Sequence, residues 1–156
     1  MRITATLFLL LTALAGLLPA QNAVDEAEVI RSAFHADKKA VVTLGMELTP
    51  AESEAFWPVY NAYQEEIKKI NSRLIAVVKE FASVNATVKD EQATRLLKEV
   101  VAVDDARGEL QEKYMAKFSK VLPPAKVLRY YQIEHKIHAL LDYAISQEIP
   151  LATAGK

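Results

Sequence analysis

The sequence predicts an all-α protein of four helices, two of them long, folded as a bent helical hairpin. Three observations carry this expectation. Apolar residues recur along most of the chain at steps of three and four, the spacing of one helix face. No stretch shows sustained alternation of apolar and polar residues between turn signals, as a half-buried strand would. Glycine numbers 4 and proline 6 in 156 residues, which leaves few turn-makers.

The N-terminus reads as an address. Arg2 precedes an uncharged apolar run from Ile3 to Leu18, which closes on Leu18-Pro19-Ala20. The run is shorter than the roughly 20 residues of a transmembrane helix. Residues 1–20 therefore read as a cleaved secretory signal peptide, with cleavage after Ala20 or Ala23; an uncleaved membrane anchor is the competing reading. Export to a bacterial periplasm follows, with no stable membrane span after cleavage. The chain has no Cys, so its fold there does not depend on disulfides. Residues 21–147 form the helical domain and 148–156 a flexible tail.

The first helix is expected from about Asp25 to Leu44. Val29, Ala33, Ala36, Ala40 and Leu44 share one face, flanked by Ile30, Phe34 and Val41. Asp25, Glu26 and Glu28 suit the positive end of the helix dipole, and Gly45 is a natural stop.

The second helix opens on the clearest local signal in the chain. Thr49-Pro50-Ala51-Glu52 is a capping box with proline in the first turn. Phe56, Tyr60, Tyr63, Ile67, Ile70, Leu74, Val77 and Phe81 then keep a heptad spacing, the mark of a long helix packed at a shallow angle on others. Pro58 removes one backbone hydrogen bond and crowds the carbonyl of Glu54, which predicts a bend there.

A polar loop, Ser83 to Thr87, leads to a third helix from about Val88 to Lys120, with Thr87 and Asp90 as a weaker cap. Leu96, Val100, Val103, Leu110, Tyr114, Phe118 and Val121 mark its apolar face. Pro123-Pro124 separates it from a fourth helix ending near Gln147, with Tyr130, Ile133, Ile137, Leu140 and Ala144 as the main stripe and Val127, Tyr131, Leu141 and Ile145 beside it.

Composition excludes several functions. Nineteen Lys plus Arg against 20 Asp plus Glu give a net charge of -1, without the basic excess of a nucleic-acid binder. Absent cysteine removes thiolate nucleophiles and cysteine-based metal sites. No phosphate-cradling glycine loop or nucleophile elbow is present. The chain reads as no enzyme and as needing no cofactor.

Three groups of residues remain as candidates. Phe56, Trp57, Tyr60 and Tyr63 form an aromatic cluster; it is either core at the start of a helix or an exposed binding surface. Arg107 takes the core-facing step between Val103 and Leu110, and Glu134 lies on the line through Val127, Tyr131 and Leu141. Two charges on apolar faces predict a buried Arg107–Glu134 ion pair, unless both snorkel to the rim. His135 and His138 stand i and i+3 beside Glu134, without the i,i+4 pairing of a helical zinc site, and no metal is assigned to them.

Leu48-Thr49-Pro50-Ala51-Glu52 resembles the Leu-Thr-x-x-Gln signature of the Spy/CpxP-like family of small periplasmic stress proteins, with Glu52 in place of Gln. A degenerate second copy corresponds to Leu122-Pro123-Pro124-Ala125-Lys126. The resemblance implies an antiparallel, cradle-like homodimer of long bent helices. It implies an ATP-independent chaperone or envelope-stress protein that binds apolar segments of unfolded or partly folded envelope proteins. A regulatory module for a periplasmic sensor domain and a metal-responsive protein are the alternatives.

Overall fold

The computed structural model describes residues 38–153. The expected signal peptide and the start of the first helix lie outside the described residues. The chain is all-α. Four helices, α1 (38–46), α2 (Pro50–Val84), α3 (Asp90–Phe118) and α4 (Pro124–Glu148), follow one another, with no strand among the described residues.

Helix α2 has 35 residues and is about 52 Å long at 1.5 Å per residue. Its start is the expected capping box: the Glu52 N–H donates to Thr49 Oγ1 at 3.3 Å, and the Thr49 N–H donates to Glu52 at 2.9 Å. That reciprocal bond is the largest influence holding the Glu52 carboxyl below its ordinary range. The helix continues through Pro58.

Helices α2 and α3 form an antiparallel hairpin. Lys113 meets Glu66, Arg107 meets Asn71, Arg73 meets Glu99 and Arg95 meets Glu80, so one index falls as the other rises. Helix α3 starts at Asp90 with Lys89 as a cap that makes no side-chain bond. This corrects the expected Thr87 cap. Asp90 is the first helical residue rather than the third, so Thr87 stands too far back and its N–H turns to the Val84 carbonyl instead. Asp90 and Glu91 still place negative charge in the first turn.

Helix α4 returns alongside the hairpin, and the Thr153 N–H reaches the Asn85 carbonyl at the hairpin tip. Helix α1 runs antiparallel to α4, with Lys38 beside Glu134 and Gly45 beside Ile133. The core therefore sits where all four helices overlap. Rings from three of them meet there: Phe118 and Tyr130 at 4.5 Å between centroids, Phe56 and Tyr130 at 5.2 Å, Tyr63 and Tyr114 at 5.3 Å. Edge-on and tilted arrangements of this kind contribute beyond their buried area.

The first helix departs from its expected face and end. Lys38, Val42 and Met46 are buried, whereas Ala40, Val41 and Leu44 are exposed, Leu44 by 79%. A charged residue inside the buried stripe disguised it, because the apolar pattern alone selects the adjacent face. Gly45 does not stop the helix. It permits contact instead: a Cβ there would lie 2.7 Å from Ile133 Cδ1. The turn out of α1 comes at Glu47, with φ 49°. Its terminal carbonyls are satisfied from α4, by Arg129 on Gly45 and by Lys126 on Met46 at 3.0 Å and on Glu47. Two cations thus cap the negative end of a neighbouring helix. On α4, Leu140 is exposed and Glu134 buried, so the burial axis lies between the two expected stripes.

Candidate functional site

The aromatic cluster of α2 is core, which corrects the reading of Phe56, Tyr60 and Tyr63 as a binding surface. All three are buried, because α1 and α4 cover that face. Trp57 is half-buried at the edge of the core. Its indole donates to Ser53 at 2.8 Å, and Lys39 Nζ lies 5.1 Å above its ring.

The expected Arg107–Glu134 ion pair is replaced by two separate polar layers. Arg107 faces α2, where its Nε and Nη2 donate to the buried Asn71 Oδ1 at 3.0 and 2.8 Å; Asp104 lies 3.5 Å away on its own helix. Glu134, 2% exposed, receives Lys38 of α1. The cation that meets Glu134 comes from α1 and not from α3, because Arg107 faces α2. Gln64 of α2 completes the network, accepting from Lys38 at 3.1 Å and donating to Glu134 at 3.4 Å. His138 Nε2, one turn along α4, lies 3.3 Å from the same carboxylate.

All three partners converge on Glu134 Oε1, and Oε2 has no hydrogen-bond partner. Burial pushes this carboxyl up, but the His138 contact and the Lys38 ammonium outweigh it and hold the group below the ordinary range. The nearby Tyr130 hydroxyl is also buried and makes no hydrogen bond of good geometry, with Gln64 its closest polar neighbour. Burial, reinforced by the Glu134 charge, raises its pKa well above the usual phenol value, so it stays protonated.

Glu134 and Tyr130 both line a small cavity of about 20 Å³ between α3 and α4. That is room for one water-sized group. Outside it runs an open groove of about 610 Å³, bordered by Gly108 and Met115 of α3 and by Leu128 and Tyr131 of α4. The two spaces share Gln111, Met115, Val127 and Tyr131 as a common wall. Glu112 and Glu134 are the charged residues lining them, both acidic. Farther along α3, beyond the exposed Asp104, Val101 and Leu97 are exposed as well, Leu97 by 65%.

His135 does not join Glu134; its ring stacks on Tyr131 at 6.2 Å and 7°. No group of three or more His, Asp or Glu among the described residues is arranged to hold a metal.

The two motif copies meet in space. Leu48 and Leu122 both pack on the core. Lys126, at the Gln position of the second copy, lies 3.7 Å from Glu52, at the Gln position of the first. The same Lys126 caps α1. Proline at position 123 leaves no hydroxyl to cap α4, and the helix begins without a side-chain cap bond.

Sequence reasoning missed Lys38, Gln64, Asn71 and the α3–α4 groove. Asn71 carried a signal, since it stands one turn from Ile67 on the buried side of α2. Lys38 did too, four residues before Val42 and eight before Met46. The groove had none, because it is formed by the spacing of two helices. Comparison with protein-family models, curated proteins and solved structures finds no match in any of the three.

Proposed function

We propose that this chain is an exported periplasmic binding protein, not an enzyme, that holds apolar segments of unfolded or partly folded envelope proteins on its α3–α4 face. The observation that carries the reading is the set of exposed apolar residues on that face: Leu97 and Val101 at one end of α3, and Met115 with Leu128 and Tyr131 of α4 at the other. Leu97 to Met115 spans about 27 Å along the helix, long enough for an extended segment of some eight residues. Exposed apolar surface of this extent marks an interaction site more often than a solvent face. Burial of client side chains there is reversible and needs no nucleotide. The resemblance of Leu48–Glu52 to the Spy/CpxP-like signature and the signal-like N-terminus support the same reading. A homodimer would extend the binding face across two copies.

The test is suppression of aggregation. Purified protein in molar excess over a denatured model client should reduce light scattering. Replacing Leu97 and Val101 by Lys, both exposed, should abolish the effect while helicity is retained. No suppression by the unaltered protein overturns the reading. Capture of one stoichiometric partner from periplasmic extract would instead favour the regulatory alternative, docking to a sensor domain.

A further inference from the structure

We propose that the α3–α4 groove takes apolar segments that carry lysine or arginine, in the pattern basic–x–apolar–x–basic. This rests on the reading of that face as a client-binding surface and names the class of segment it prefers.

The groove sets the charge of its occupant. Glu112 is the charged residue in its lining, beside the exposed apolar Met115, Leu128 and Tyr131. Among the described residues no cation pairs with Glu112. Asp104 stands farther along the same side of α3, its side chain 65% exposed, with Arg107 Nη1 3.5 Å away. Neighbouring cations are engaged elsewhere. Arg107 gives Nε and Nη2 to Asn71 of α2, and Lys113 pairs with Glu66 of α2. Lys117 lies over the Tyr114 ring, and Lys126 and Arg129 hold the end of α1. The groove therefore offers apolar surface beside negative charge. An acidic segment would meet like charge there. A neutral one would strip water from Glu112 and give nothing back. A basic one supplies the missing counter-charge.

Spacing gives the pattern. Asp104, Gly108 and Glu112 stand at i, i+4 intervals and form one row along α3. Each step is about 6 Å along the axis. In an extended chain, side chains on one side recur every second residue, about 6.6 Å apart. Gly108 lies between the two acids, and an added Cβ there meets nothing within 4 Å, so the middle of the row is open. A large apolar side chain fills that opening. Basic residues two places before and after it then reach Glu112 and Asp104. The pair with Glu112 is the stronger, because Asp104 already has Arg107 nearby.

The experiment titrates peptides of about nine residues calorimetrically into the whole protein. They share a central Leu and all other apolar residues, and carry Lys, Gln or Glu two places on either side of it. The Lys peptide should bind about fivefold tighter than the Gln peptide, the effect of one or two exposed ion pairs. The Glu peptide should bind more weakly than both. The Lys advantage should close in about 0.5 M salt. Glu112→Gln should remove most of it, and Glu112→Lys should turn the preference towards the Glu peptide. Glu91→Gln, at another exposed acid about 31 Å away along α3, should leave it unchanged. Gly108→Leu, which fills the opening, should weaken binding of every peptide. Equal affinity for the Lys, Gln and Glu peptides overturns the basic-segment reading and leaves apolar binding on this face standing. A Lys preference that survives Glu112→Gln, or that falls as far in Glu91→Gln, also overturns it, since its source would lie outside the groove. Binding of no peptide, with aggregation still suppressed, removes this inference alone; without suppression, both readings fall.

Discussion

Lys38 donates to Glu134 Oε1 across the α1–α4 interface, and both side chains are almost wholly buried, at 7% and 3% exposure. The pair holds the start of α1 on α4, as Lys126 and Arg129 hold its end, while Val42 and Met46 enter the core. Removing one member strands the other charge. Lys38→Met is expected to cost about 3–5 kcal/mol, whereas Lys38→Met with Glu134→Leu should recover to within about 1 kcal/mol of the original, since apolar replacements of a buried pair are often neutral. Urea unfolding of the single and double variants measures both.

The same pair sets the acid limb of stability. The Glu134 carboxyl lies below its ordinary value of 4.5 in the folded protein. A depressed carboxyl contributes stability above its unfolded pKa, and that contribution drains away as pH falls through the folded one. Stability should therefore decline below about pH 4.3. In Lys38→Met, burial is opposed by His138 alone, so this acid loss should shrink. Thermal unfolding between pH 3 and 7 checks the sign.

The alkaline limb belongs to the tyrosines. Burial, then the hydrogen bond donated to Glu66 at 2.6 Å, pushes Tyr114 up to about 12. Burial also raises Tyr60, Tyr63 and Tyr130. A raised phenol contributes fully below pH 10 and loses its contribution as pH climbs through the folded value. Phenolate absorbance should show these four hydroxyls ionising only with unfolding, above about pH 10. An early, non-cooperative titration of all of them would contradict their burial.

Two glycines predict opposite mutational behaviour. Gly108 is an exposed mid-helix residue with open space over its Cα, so Gly108→Ala should stabilise by about 0.5–1 kcal/mol. At Gly45 the added methyl meets Ile133 Cδ1 at 2.7 Å, which cancels that gain. Combining Gly45→Ala with Ile133→Val deletes the clashing carbon. A double-mutant cycle by urea unfolding should give a favourable coupling of about 1 kcal/mol.

Arg107 and Asn71 are expected to couple as well. Asn71 accepts two bonds from a guanidinium that still reaches water, so Asn71→Ala should cost about 1–2 kcal/mol rather than the full penalty of a stranded charge. With Arg107→Met in place, the cost of Asn71→Ala should fall by more than half.

The sequence by itself determined the helices and much of the core. Periodicity along α2 and α3 named Phe56, Ile67, Val103, Leu110 and Phe118 as inward positions, and the capping box located the start of α2 to the residue. These are local properties: a helix face and a cap depend on neighbours within four positions. Tertiary structure decided which charge meets which. Glu134 faces inward by its own period, but its partner lies 96 positions away on α1, and Arg107 pairs with Asn71 across the hairpin. Packing distance between α3 and α4 likewise decided that a groove opens between Met115 of α3 and Leu128 and Tyr131 of α4. Burial makes an unpaired charge costly, so inward charges must find partners; only the packing of the helices says where those partners are.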